Sequence, residues 1–219
     1  MDGLLANKLA MAHLPLPSVV SFIQIIFAAV VIVIMKFAGV PIDGIDNKIL
    51  RAYLIYTAVF VFAIYTNMQA LSMSNVETVI VFRACSPIAV SIVEYIFMNR
   101  DLPSIRSATS LGIVAVGAIL YCMSDSQLAL NGFGAYSWAI LYLVFITVEM
   151  TYGKQITSTV KMNSVWAPVL YCNAFAALPM FLLGYVKGDY NGVMERLYSM
   201  SFNGHVILLF SCIAGTLIG

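Results

Sequence analysis

Apolar residues run along this chain in blocks separated by short polar stretches, and the block length sets the reading. Crossing a bilayer core takes roughly 20 helical residues at ~1.5 Å each. Stretches 18–40, 49–73, 76–98, 107–123, 133–157 and 165–186 are predicted as six full spans. A seventh block, 205–219, starts like a span and reaches the last residue before it is long enough to cross. Residues 1–16 read as the remnant of an earlier helix, with Leu4 to Ala12 as its last turns, broken by Pro15 and Pro17. Between spans lie a turn at 41–48 rich in Asp and Gly, a very short turn at 72–75, a charged loop at 99–106, a turn at 124–132 and a longer loop at 187–204. That last loop is expected to hold a short interfacial helix. The whole chain reads as one transmembrane domain, 1–219, of class all-α: a polytopic helix bundle. Both termini are expected to be cut from a longer protein, since a boundary does not usually stop inside an apolar run.

The stretch 76–98 organises the rest. It carries Arg83 about a third of the way along and Glu94 near its far end. An arginine at mid-membrane costs about 2.5–3.5 kcal/mol on insertion scales, so it normally faces protein or a water-filled cavity. Residues 83 and 94 return to nearly one face at ~100° per residue. Two readings stand side by side: a structural ion pair or snorkelling side chain, and a polar path for an anion.

Other spans add candidate chemistry. On 49–73, Tyr53, Tyr56, Phe60 and Asn67 recur at helical spacing, an aromatic stripe ending in an amide that suits helix packing as well as a site. On 133–157 and just beyond it, Thr147, Thr151, Lys154 and Ser158 form one polar face, and Glu149 is predicted on a different one. Lys154 suits either snorkelling to the interface or a place on the path. Small residues on 107–123, among them Gly112 and Gly117, are expected to let a neighbouring helix approach closely.

Composition narrows the class. The chain is 62% hydrophobic and 10% charged, against about 25% charged in a soluble domain. With a formal net charge of +1 there is no basic surface for nucleic acid. Cys85, Cys122, Cys172 and Cys212 sit inside apolar runs with no metal or redox spacing, and no cofactor is expected. Basic residues divide unevenly: Lys36, Lys48, Arg51, Arg100, Arg106, Lys154 and Lys161 fall at one set of span ends, Lys8, Lys187 and Arg196 at the other. The positive-inside rule places the first set, with loops 41–48, 99–106 and 158–164, in the cytosol.

Five segments resemble the drug/metabolite transporter superfamily, in its nucleotide-sugar and triose-phosphate branch. They are L-L-A-N-K from Leu4, Y-T-N-x-x-A-L from Tyr65, N-V-E-T-V-I-V-F-R from Asn75, A-Y-S-W-A from Ala135 and W-A-P-V-L-Y-C-N from Trp166. Their order and spacing cover essentially the whole chain and are closest to the GDP-sugar transporters. The resemblance implies ten helices in two inverted five-helix halves, with a midplane site between them. It also implies a Golgi, multi-pass, endomembrane location and exchange of a cytosolic nucleotide sugar for luminal nucleoside monophosphate, GDP-mannose being one such substrate. The protein would be no enzyme, its partners would be those nucleotides and the lipid bilayer, and a homodimer is admitted.

Carried over by residue, Tyr171 and Asn173 match the family's Y-N-N segment, which reads the base. They offer an aromatic face and an amide, and Cys172 replaces the first asparagine. Asn67, Arg83 and Lys154 complete the expected substrate-binding set, and Gln69 stands where several relatives carry lysine. The family's ninth and tenth helices, with a G-x-x-N-K segment for ribose and phosphate, have no counterpart in the chain. A fragment unable to transport is therefore the expectation.

Other readings are a plastid sugar-phosphate translocator, a non-transporting membrane interaction protein, a seven-helix receptor and an intramembrane enzyme. The first calls for more basic residues inside the spans. The receptor lacks D-R-Y and N-P-x-x-Y, and the enzyme lacks H-E-x-x-H and paired aspartates.

Overall fold

A computed structural model describes every residue except 1, 45, 102, 126–135, 161 and 219. The predicted turn at 126–132, the first residues of span 133–157, the Ala135 end of A-Y-S-W-A and Lys161 therefore lie outside the described residues. Those that are described fold into helices and connecting turns, with no strand among them. In order these are α1 (Asp2–His13), α2 (Pro17–Phe37), α3 (Asn47–Met73), α4 (Val76–Ala84), α5 (Ser86–Met98), α6 (Ile105–Ser124), α7 (Ser137–Thr159), α8 (Trp166–Lys187), α9 (Val193–Ser199) and α10 (Phe202–Ile218).

Local chemistry sets the ends. Pro17 opens α2, where its missing N–H costs nothing. Asp46 caps α3 by accepting the Asn47 N–H at 2.6 Å. Gly188, at φ +77°, ends α8 in the left-handed region, and the Asp189 N–H closes back on the Gly184 carbonyl at 3.0 Å. The stretch 76–98 does not run through unbroken: α4 gives way to α5 at Cys85. Pro87, in the first turn of α5, has no N–H to give the turn before it, which marks the break. Arg83 thus lies in the last turn of α4, two residues before the break at Cys85.

By length and composition, five helical stretches among the described residues can cross a membrane: Pro17–Phe37, Ile49–Met73, Val76–Met98, Ile105–Ser124 and Trp166–Lys187. The pair α9 and α10, bent by 113°, makes a sixth if counted as one span. The 23 residues of α7 are long enough, but its polar residues keep it out of that set. It packs instead against α3, α4 and α5, where polar side chains meet protein rather than lipid.

Three apolar clusters hold the bundle. Met11, Leu14, Val20, Met68 and Leu71 join α1, α2 and α3. Tyr53, Ile156, Ala167 and Cys172 join α3, α7 and α8. Ile25, Val61, Ala176 and Met180 join α2, α3 and α8. Lys8 adds a polar lock: its Nζ donates to the Leu71 carbonyl at 2.5 Å and the Ser74 carbonyl at 2.9 Å, covering the C-terminal end of α3 with a cation. In contrast, α6 has no buried residue. It leans on α4 through Thr78 and the Tyr121 hydroxyl, 3.0 Å apart. The small residues expected to draw a neighbour close have none: no described atom lies within 4 Å of a Cβ built on Gly112 or Gly117.

A latch closes one end of the bundle. The Asp43 carboxylate, in the turn after α2, accepts the backbone N–H groups of Ser164 and Asn163, each at 2.8 Å. Tyr171 donates its hydroxyl to the Asp43 backbone carbonyl. These donors, that of Ser164 foremost, hold the Asp43 carboxyl below its usual 3.8. A depressed carboxyl stabilises the fold above its unfolded value and loses that contribution as pH falls through the folded one. The thermal midpoint of Asp43→Asn is therefore expected to lie below that of the wild type at pH 7. The two should converge as pH drops below 3.8. A gap that stays constant with pH would assign the latch to other groups.

Candidate functional site

Helices α1, α2, α3, α4, α7, α8 and α10 line a cavity of about 850 Å³, within the ~300–1,000 Å³ range of small-molecule sites. Its walls combine three kinds of chemistry. Tyr53, Tyr56 and Phe60 of α3 give aromatic surface. Asn7, Gln24, Asn67 and Asn173 give amides. Arg83, Glu149 and Lys154 give charge.

The aromatic wall is the stripe seen in the sequence. Spacings of three, four and seven bring residues 53, 56, 60 and 67 to one face of α3, and that face meets the cavity. The stripe also packs within itself: the rings of Tyr56 and Phe60 stack at 6.1 Å and 23°, and Tyr53 meets Tyr56 edge-on at 6.1 Å. Packing and lining were alternatives in the sequence and are both true of the structure. At the deep end, the Asn67 Oδ1 is buried without a hydrogen-bond partner among the described residues. Such an orphan costs about 1–3 kcal/mol until a donor reaches it.

Helix α7 corrects one expectation. Thr147 and Thr151 are buried against neighbouring helices, with the Thr147 hydroxyl turned back to the Leu143 carbonyl at 2.6 Å. The cavity face runs through Ile146, Glu149, Met150, Gly153, Lys154 and Thr157. Glu149 and Lys154, five residues apart, stand about 140° apart around the axis at ~100° per residue. A cavity wide enough to span that arc takes both. Glu149 accepts a hydrogen bond from the Tyr56 hydroxyl. Lys154 Nζ lies 2.9 Å from Glu94 of α5, a carboxylate that Arg100 also approaches at 3.4 Å. The expected face-sharing of Arg83 and Glu94 therefore does not become a pair, because Glu94 is held by Lys154 and Arg100. Arg83 forms no salt bridge among the described residues. It stands within electrostatic reach of Glu149 and Tyr142 and keeps more than a third of its surface open.

Of the five residues marked from sequence, Asn67, Arg83, Lys154 and Asn173 line the cavity and Tyr171 does not. Tyr171 is buried behind Cys172, its ring against Tyr53 and Phe175 and its hydroxyl committed to Asp43. Cys172 does line the cavity. The Asn173 Nδ2 donates to the Val169 carbonyl at 2.8 Å, which leaves its Oδ1 and the second N–H of the amide to offer to a ligand. Asn7 and Gln24 escaped sequence reasoning as site residues. The Gln24 amide donates to Asn7 at 2.9 Å and to Ser211 at 3.1 Å, tying α2 to α1 and α10 beside the cavity. Gln24 was legible as a lone amide in an apolar span. Glu149 carried a signal too, an ionisable side chain inside an apolar span, but its place on the cavity depends on how far the open space wraps α7. Among the described residues no group of three His, Cys, Asp or Glu is placed to hold a metal.

No family model matches the chain. Among known proteins it is similar to GDP-fucose transporter 1 of Arabidopsis thaliana, 32% identical over 211 residues that cover 96% of this chain and 61% of that protein. It is also similar to the GDP-mannose transporter GONST3 of Arabidopsis thaliana, 31% identical over 194 residues, 87% of this chain and 50% of that one. Both similar proteins are named as GDP-sugar transporters. The chain spans between half and about three-fifths of the length of these relatives. The cavity's contents fall into three groups. Cationic side chains suit a diphosphate, aromatic rings suit a base, and amides suit hydroxyls and base edges.

Proposed function

We propose that the cavity is the substrate site of a GDP-sugar transporter, which exchanges cytosolic GDP-sugar for luminal GMP across the Golgi membrane. One observation carries this reading. Arg83 lies inside a stretch that can cross a membrane and lines the cavity with no salt-bridge partner among the described residues. A cation left in that position is costly unless an anion is its partner, and the diphosphate of a nucleotide sugar supplies one. Lys154, shared with Glu94, marks the mouth and draws the anion in. The base docks against Tyr53, Tyr56 and Phe60, and Asn173 offers its Oδ1 to a donor on the ligand. Tyr171 acts from behind: through Asp43 it fixes the turn of α8 that carries Cys172 and Asn173. The basic span ends support a cytosolic placement of the Asp43 end.

The test uses the chain purified into lipid nanodiscs, with ligand binding read by calorimetry, and a chain extended to the length of its relatives in proteoliposomes preloaded with GMP. GMP, GDP-mannose and GDP-fucose are expected to bind and to compete with one another, and UMP and UDP-glucose are not. External GDP-sugar should enter only vesicles that hold GMP. If no guanine nucleotide binds, the proposal falls. If it binds but uptake ignores internal GMP, antiport falls and the site stands. A fluorescent fusion that misses Golgi markers in cells would overturn the location.

A further inference from the structure

We propose that Glu149 is the residue that selects guanine, its carboxylate accepting the N1–H and the 2-amino N–H of the base. This rests on the proposed function and adds a named specificity residue to the same site. The Glu149 side chain faces the cavity and is not free to wander. One oxygen accepts the Tyr56 hydroxyl, and Tyr56 is itself stacked on Phe60. Gly153, one turn along α7, makes room for that ring: a Cβ there would stand 3.3 Å from Tyr56 Cε2. The second carboxylate oxygen has no hydrogen bond to any described residue. A carboxylate is an acceptor only, with about four lone-pair sites over its two oxygens, and Tyr56 uses one. The edge it can serve is one with two adjacent donors.

Among the common bases only guanine presents such an edge. Adenine and cytosine set an acceptor beside their amino group, and uracil flanks its single N–H with acceptors, which a carboxylate repels. An amide would not discriminate in this way, since it offers a donor as well. Cys172 stands in the cavity where the family pattern has an asparagine, so the chain lacks one amide for the base. Glu149 supplies a stricter reader from α7. No salt bridge joins Arg83 to Glu149 among the described residues, so the guanidinium does not occupy the free oxygen.

The competing role for Glu149 is counter-ion to Arg83 alone. That role predicts an equal change for every base, whereas base reading predicts an unequal one. The chain in nanodiscs is titrated with GMP, IMP, XMP and AMP. IMP lacks the 2-amino group, and XMP carries an acceptor in its place. The wild type is expected to prefer GMP over IMP by about tenfold, the usual scale for one charge-assisted bond lost to a built site. In Glu149→Gln the GMP-to-IMP ratio should fall to about one, and XMP should gain on GMP, because the amide donates to the new acceptor. Gln also keeps an oxygen for Tyr56, so the wall stays in place. Glu149→Asp keeps the charge but withdraws the oxygens, and should also lower the GMP-to-IMP ratio. A wild-type ratio near one, or variants that shift all four nucleotides alike, would overturn the inference while leaving the transporter reading intact. If the wild type binds none of the four, the transporter reading fails first and takes this one with it.

Discussion

Replacing Arg83 with glutamine is expected to weaken GMP and GDP-sugar binding by about ten- to a hundredfold, the loss of one charge-assisted contact worth about 1.5–3 kcal/mol. The choice of Arg83 over Lys154 follows from their partners. Lys154 already has Glu94 at 2.9 Å, with Arg100 on the same carboxylate, so part of its charge is spent at the mouth. Arg83 has no salt-bridge partner among the described residues. Its five N–H donors in a fixed fork match phosphate oxygens two at a time. Arg83→Lys should recover part of the loss, because charge remains but the fork does not. Lys154→Gln should cost less than Arg83→Gln and should mainly slow association. Binding isotherms for the three variants check the order. If Arg83→Gln binds GMP as the wild type does, the diphosphate is held elsewhere.

Gly184→Ala is expected to destabilise the bundle by about 1–3 kcal/mol, the range for overpacking a filled contact. A Cβ at Gly184 would stand 2.7 Å from Tyr190 Cε2 and 3.0 Å from Ser18 Cβ. Neither can retreat easily. Ser18 is in the first turn of α2 and fully buried. The Tyr190 ring is held by Phe181 at 4.9 Å and by Phe22 at 6.3 Å. The close approach of α8 to α2 at this point is therefore built on the missing side chain. Denaturant unfolding in detergent should show the loss, and Tyr190→Leu in the same chain should recover part of it. Gly117→Ala is the control, since no described atom lies within 4 Å of its Cβ position. Helix propensity favours alanine at both glycines, so equal losses at the two would mean that the α2–α8 contact does not set the cost.

Much of the molecule could be read from the order of its residues. Hydrophobic blocks set the helices, because in lipid every backbone polar group must be satisfied within its own segment. Pro15 and Pro17 separated α1 from α2, and the Asp- and Gly-rich turn after α2 was plain. The cost of a cation in lipid singled out Arg83 before any coordinates. Helical spacing put Tyr53, Tyr56, Phe60 and Asn67 on one face.

Tertiary structure decided what those faces meet. A helical face is a direction, and nothing along one strand of sequence says whether the neighbour in that direction is lipid, another helix or a cavity. So Glu149, set apart from the polar face of α7, joins Lys154 on the cavity because the open space wraps that side of the helix. Tyr171 turns away from the ligand space and holds Asp43, a contact between residues 128 positions apart. The small residues of α6 find no partner among the described residues, although their spacing suited one. Sequence fixes which residues share a face because that follows from 3.6 residues per turn. Which faces meet depends on contacts between residues far apart in the chain, and only the folded bundle supplies those.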